Sequence, residues 1–149
     1  MSTVIIICLI IIGFAVWKLK QTCWHKDISL GDTALIKSLL DKGEDINAKD
    51  GGLTLLMKVA TEGYVKTAKL LIDKGADIDA RSNEGGTALI AASMAGYAKI
   101  VELLINAGAN IKAKNNMGWT ADMYAKEKGY TDITQMLWQR STTIGTESK

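Results

Sequence analysis

The chain has 149 residues, a formal charge of +2 and 48% apolar residues, which suits one domain with an appendage and leaves enough apolar surface for a sizeable core. Lys and Arg number 18 against 16 Asp and Glu, and that balance argues against a dedicated nucleic-acid binder with a clustered basic face. Two cysteines are too few for a disulfide framework, and the single histidine, His25, has no cluster of Cys, His or carboxylate around it to make a zinc site.

The first element in chain order is an uncharged run. Val4 to Trp17 reads VIIICLIIIGFAVW, and Met1, Ser2 and Thr3 before it carry no side-chain charge. As a helix, residues 1–19 measure about 28 Å, close to the ~30 Å thickness of a bilayer's hydrocarbon core. Lys18 reaches back to the interface along its aliphatic stem, and Trp17 and Trp24 suit an interfacial position. The expectation is a transmembrane helix over 1–19 in contact with the lipid bilayer, followed by a juxtamembrane linker over 20–26. Lys18, Lys20 and Lys26 follow the run and nothing basic precedes it except the terminal amine, which places the N-terminus outside and the rest in the cytoplasm. Two other readings stay open. Gly13-Phe14-Ala15 offers a small-x-small site for signal peptidase, although the basic n-region of a secretory signal is missing; cleavage there gives a periplasmic or secreted product. A buried strand or core helix is the other. Cys23, just past the run, is a candidate for palmitoylation or an ordinary thiol.

Beyond residue 26 the chain repeats itself. Thr54, Thr87 and Thr120 lie at one fixed spacing, as do Gly63-Tyr64, Gly96-Tyr97 and Gly129-Tyr130, and Gly75 and Gly108 keep the same interval. A period in this range means stacked supersecondary units. The units run 27–49, 50–82, 83–115 and 116–140, the first shortened and marked by Gly31 and Gly43. In each full unit a Thr starts a short helix such as LLMKVATE. A glycine ends that helix by taking the left-handed conformation. A second helix follows, such as Val65 to Lys74, whose Val65, Ala68, Leu70, Leu71 and Ile72 keep a helical period. A loop of the type Ala76-Asp77-Ile78 then extends to the next unit. One such unit cannot offset its own ordering entropy, so the units must stack. Asp27 and Ser29 at one end, and Asp122, Gln135, Gln139 and Arg140 at the other, read as wettable caps. Residues 141–149, STTIGTESK, read as a frayed polar tail.

The segments GLTLLMKVATEG, GGTALIAASMAG and GWTADMYAKEKG, with LLDKGEDINA, LIDKGADIDA and LINAGANIKA, resemble the ankyrin repeat over about residues 27 to 140. The resemblance implies an all-α solenoid of about four helix-turn-helix units joined by β-hairpin loops. The departures are specific. The family's TPLH proline is Leu55, Ala88 and Ala121 here, and its histidine is Met57, Ile90 and Met123. That histidine ties neighbouring loops together, so its loss implies looser hairpins.

No catalytic constellation emerges. There is no phosphate loop of the G-x-x-x-x-G-K-[ST] type, and GDTAL at 31 to 35 is a helix junction. His25 lies beside the apolar run, where it has no nucleophile to serve. The carboxylate pairs Glu44-Asp45 and Asp77-Asp79 read as solvated turn residues. The expectation is therefore a non-catalytic chain without cofactor or metal. The family resemblance implies binding to another protein through hairpin tips and the concave face of the first helices. By motif position the tips are Asp50, Gly51 and Leu53; Asn83, Glu84 and Gly86; Asn116, Met117 and Trp119. The helix positions are Thr61 and Glu62, Met94 and Ala95, Glu127 and Lys128. Of these, Met94, Ala95, Met117 and Trp119 are expected to form an apolar patch, with Leu53 further off; alternatively Trp119 only packs over the neighbouring hairpin.

Overall fold

The computed structural model describes residues 29–146. The expected membrane segment 1–19, the linker 20–26, Asp27 and the end of the tail lie outside the described residues. Among the described residues, no helix is long and apolar enough to cross a membrane.

The described residues form seven helices and one short hairpin: α1 (Thr33–Asp41), β1 (Lys49–Asp50), β2 (Leu53–Thr54), α2 (Leu55–Glu62), α3 (Val65–Asp73), α4 (Ala88–Ala95), α5 (Ala98–Asn106), α6 (Ala121–Lys128) and α7 (Thr131–Thr146). Helices α2, α4 and α6 pack side by side in one layer, and α1, α3, α5 and α7 in a second. Each full unit contributes one helix to each layer. Unit 27–49 shows one helix, α1, among the described residues, and Ser29 precedes it in irregular chain rather than on an inner helix. The core runs the length of the stack between the layers, through Leu56, Val59, Leu71, Leu89, Ile100, Leu104 and Ile133.

The local chemistry explains the helix ends. The hydroxyls of Thr54, Thr87 and Thr120 accept the backbone N–H of Met57, Ile90 and Met123 at 3.3, 3.4 and 3.4 Å, each covering one of the free donors at a helix start. Asp32 does the same for Leu35 ahead of α1, at 3.1 Å. Gly63 closes α2 at φ 83°, a left-handed conformation that costs other residues about 1–2 kcal/mol. Space requires this glycine as well. The ring of Tyr97, from the next unit, lies so close that a Cβ on Gly63 would overlap it. The Tyr130 ring covers Gly96 in the same way and the Tyr64 ring lies less tightly over Gly31, so the tyrosine of every Gly-Tyr pair rests on a glycine of the preceding unit.

Between units the loops are joined by hydrogen bonds that the sequence did not announce. Asp45 and Asp77 each accept a backbone N–H two residues ahead, from Asn47 at 2.9 Å and Asp79 at 3.1 Å. Asn47 Oδ1 then accepts the N–H of Asp77 in the next unit at 2.8 Å, and Asp79 Oδ1 that of Asn110 in the one after, at 2.9 Å. The reading of Asp79 as merely a solvated turn carboxylate is therefore corrected, since it also holds the next loop in register, whereas the exposed Asp77 carboxylate accepts within its own turn. On the opposite layer's loops, Lys49 Nζ donates to the Arg81 carbonyl at 2.8 Å, and the Arg81 guanidinium donates to that of Lys114. The Asn116 N–H and amide donate to the Glu84 and Asn83 carbonyls at 2.9 and 3.1 Å. These bonds join the hairpins where the family histidine is absent. Strand pairing occurs in one hairpin, with Lys49 opposite Thr54 and Asp50 opposite Leu53. The next two loops turn on backbone bonds from Ser82 to Gly86 and from Asn115 to Trp119. Lys74 Nζ also bonds Asp41 Oδ1 across units at 2.7 Å, which holds the Asp41 carboxyl below its ordinary range.

The far end of the stack is finished with polar groups. Asp122 stands where Leu56 and Leu89 are buried, and Lys126 where Ala60 and Ser93 are buried. The two pair at 2.7 Å one helical turn apart. The expected tail does not begin at Ser141, because α7 continues to Thr146. The Ser141, Thr142 and Thr143 hydroxyls donate to the Trp138 and Gln139 carbonyls at 2.7 to 3.0 Å, and no proline intervenes.

Two stability measurements check this account. Gly75 has φ 84° but open space around it, so Gly75→Ala should cost only the backbone term, about 1 kcal/mol. Gly63→Ala must also displace the Tyr97 ring and should cost roughly 1–3 kcal/mol more in urea denaturation. The Ser93 hydroxyl is buried without a hydrogen-bond partner. Ser93→Ala should therefore raise stability by about 1 kcal/mol, since it removes an unsatisfied group and leaves a side chain that fits.

Candidate functional site

The inner helices α2 and α4 present their faces to the loops that precede them, and a cavity of about 250 Å³ opens between these elements. Met57 from α2 and Ile90 from α4 close its base, at 2% and 5% exposure. Ala91 extends that base, and Leu53 from β2 and Met94 from the end of α4 form walls that remain open to solvent. Three of these side chains follow directly from local structure. Thr54 and Thr87 start their helices, so Met57 and Ile90 fall three residues later, on the first turn that faces the loops. Met94 lies one residue before the end of α4 and projects past it.

The rim is polar and sparsely charged. Ser82 Oγ accepts the Gly86 N–H at 3.0 Å and so shapes the loop that carries Glu84. Tyr124 Oη accepts from the Asn115 side-chain amide at 2.9 Å, bringing the last unit to the cavity's edge. Thr61 spends its hydroxyl on the Met57 carbonyl at 2.9 Å. Glu84 is the one ionised side chain lining the cavity. Nearby, the Lys58 ammonium is taken by Asp50 in an ion pair.

Of the residues expected at the site, the structure brings Leu53, Thr61, Glu84, Gly86 and Met94 to this cavity. Asp50 and Gly51 form the first hairpin beside it, and Glu62 ends α2 next to Thr61. Asn83 lies on the second loop, while Ala95 ends α4 half-buried. Glu127 and Lys128 close α6 as exposed residues. Leu53 shares the cavity with Met94, whereas Met117 and Trp119 do not line it. Met117 is 70% exposed on the third loop. The Trp119 ring lies against Tyr124 of its own unit, with centroids 4.9 Å apart and planes at 46°. Asn116 is engaged in bonds to the preceding loop.

The sequence reading missed Met57, Ile90 and Tyr124. The signal for the first two was present: they replace the family histidine, and a change from a hydrogen-bonding ring to an apolar chain at two successive units implies an apolar floor. Tyr124 gave no such signal, because its place depends on Asn115 from the loop before it. Among the described residues, no group of three or more His, Cys, Asp or Glu is placed to hold a metal ion.

Comparison with known proteins agrees with this architecture. A family model described as ankyrin repeats matches three times, over residues 7–82, 24–115 and 79–147. The potassium channel AKT1 of Oryza sativa, in both the indica and japonica subspecies, is 39% identical over 57 residues, which is 38% of this chain and 6% of the channel. Ankyrin repeat domain-containing protein 17 of Mus musculus is 46% identical over 55 residues, 33% of this chain and 2% of that protein. The chain therefore spans only a small fraction of these curated relatives.

The geometry separates residues that build the surface from residues that only line it. Asn116→Ala removes a bond to the preceding loop and should lower stability by about 1 kcal/mol. Glu84→Gln touches no side-chain bond and should leave the urea midpoint within about 0.5 kcal/mol of the parent.

Proposed function

The chain belongs to the ankyrin-repeat family, and from that premise we propose that it docks a partner protein in the cavity between α2, α4 and their loops while residues 1–19 hold it at a membrane. Ankyrin repeats make the chain a protein-protein interaction module, and the family is generally non-catalytic. The observation that carries the docking reading is the cavity itself. Its base is apolar, its walls are the exposed Leu53 and Met94, and it opens between hairpin tips and inner helices. Exposed methionine and leucine around a concave apolar floor are what an interface anchor needs.

The membrane part of the reading rests on the uncharged run before Lys18. In this reading the repeats face the cytoplasm, with the N-terminus outside. The ten residues from Trp17 to Asp27 keep the first unit within about 35 Å of the bilayer even when fully extended, so a partner at the membrane surface, such as another membrane protein, is within reach. The second reading is an exported repeat domain that covers an enzyme as an inhibitor or immunity-type protein; Gly13-Phe14-Ala15 favours it.

Affinity isolation from native membranes with the full chain, beside Leu53→Glu and Met94→Glu variants, checks the docking site. A partner recovered by the parent should be lost or reduced at least tenfold with either variant; equal recovery removes the cavity from the reading. The mature N-terminus checks the location. An intact Met1 or Ser2 with membrane association that survives alkaline carbonate is expected, and a start near Val16 would select export instead.

A further inference from the structure

The cavity's chemistry narrows its occupant, an inference that rests on the docking reading above. Its base is mainly apolar where the family carries histidine, because Met57 and Ile90 take that position, and the hydroxyls of Thr87 and Thr61 beside them are spent on the Ile90 N–H and the Met57 carbonyl. No hydrogen-bonding group is offered from below, so a polar side chain seated there would lose its water without replacement. The volume of about 250 Å³ suits a single large side chain. Flexible Met57 and Met94 adjust to its shape.

One charged side chain lines the opening, and it is a carboxylate. Glu84 lines the wall with no hydrogen bond or ion pair to its carboxylate among the described residues. None of the nearby cations is bonded to Glu84, although Lys49 and Arg81, held by neutral carbonyls, keep their charge. Lys58 is paired with Asp50, Lys49 is bonded to the Arg81 carbonyl, and Arg81 is bonded to the Lys114 carbonyl. A carboxylate left over at the mouth of an apolar cavity is complementary to a base that arrives together with an apolar group.

We propose that the cavity takes one Leu, Met or Phe side chain from an extended partner segment, and that Glu84 pairs with a Lys or Arg two positions away in the same segment. Residues i and i+2 of an extended chain emerge on one face about 7 Å apart, so one anchor reaches the floor while its neighbour reaches the wall. The apolar anchor supplies the affinity and the base selects the segment and its direction.

The test is selection from a displayed library of random nonapeptides on the immobilised full chain, followed by titration of a fluorescent copy of the most enriched peptide. Enriched sequences should carry a large apolar residue with Lys or Arg two positions away. Glu84→Lys should weaken the peptide roughly three- to tenfold and, in a repeated selection, exchange the base for Asp or Glu while keeping the apolar residue. Met94→Glu should weaken it at least tenfold, with the circular dichroism of both variants matching the parent. Apolar enrichment that is blind to charge, or unchanged by Glu84→Lys, overturns this inference and leaves the docking reading in place. Enrichment insensitive to Met94→Glu, or no enrichment at all, overturns both.

Discussion

Each unit meets the next across a surface that neither can bury alone. A glycine at the end of one inner helix leaves room for a tyrosine ring from the unit that follows, and the same glycine's left-handed backbone turns the chain toward its own outer helix. The two requirements fall on one residue, so turn geometry and stacking distance are set together. Everything else in the array follows from that spacing. The inner helices close on one another along Leu56, Val59 and Leu89, the outer helices along Leu71, Ile100 and Leu104, and the loops come near enough for one unit's side chain to accept the next unit's amide.

A stack of this kind must also stop. The chain does so by changing the residues that would face a further neighbour. Asp122 and Lys126 replace buried leucine and small residues and satisfy each other. Lys112, which donates but does not accept, stands where Asn47 and Asp79 accept a following amide. Met123 is 48% exposed at the position where Met57 and Ile90 are buried, and Gly129 has no ring above it. An unpaired surface that is polar resists the non-closing association to which repeat proteins are prone.

The same replacement that removes the family's inter-loop histidine creates the candidate site. An imidazole at the start of the inner helix would spend its nitrogens on neighbouring loops. With Met57 and Ile90 there instead, loop-to-loop bonding passes to Asn116, Lys49 and Arg81, and the vacated position becomes the apolar base of a cavity. Tying the loops from their backbone side leaves the concave face free, with Glu84 as the charge that faces it.

The period, the helices and their ends were legible in the chain itself, since Thr54 and Gly63 act through bonds and dihedrals within a few residues of themselves. The polar cap was legible too, because Asp122 breaks a pattern that two earlier units establish. What the sequence by itself determined is thus everything that depends on near neighbours or on comparing one unit with the next. Three matters were decided only by the tertiary structure: that the exposed Asp79 also bridges to the next loop, that α7 runs through Ser141, and that Leu53 rather than Trp119 shares a cavity with Met94. Each depends on a partner the chain brings close only after stacking, or, for α7, on hydroxyls that choose their own helix's carbonyls over water. Spacing along the chain does not encode which of two exposed residues faces inward; the angle between neighbouring units does.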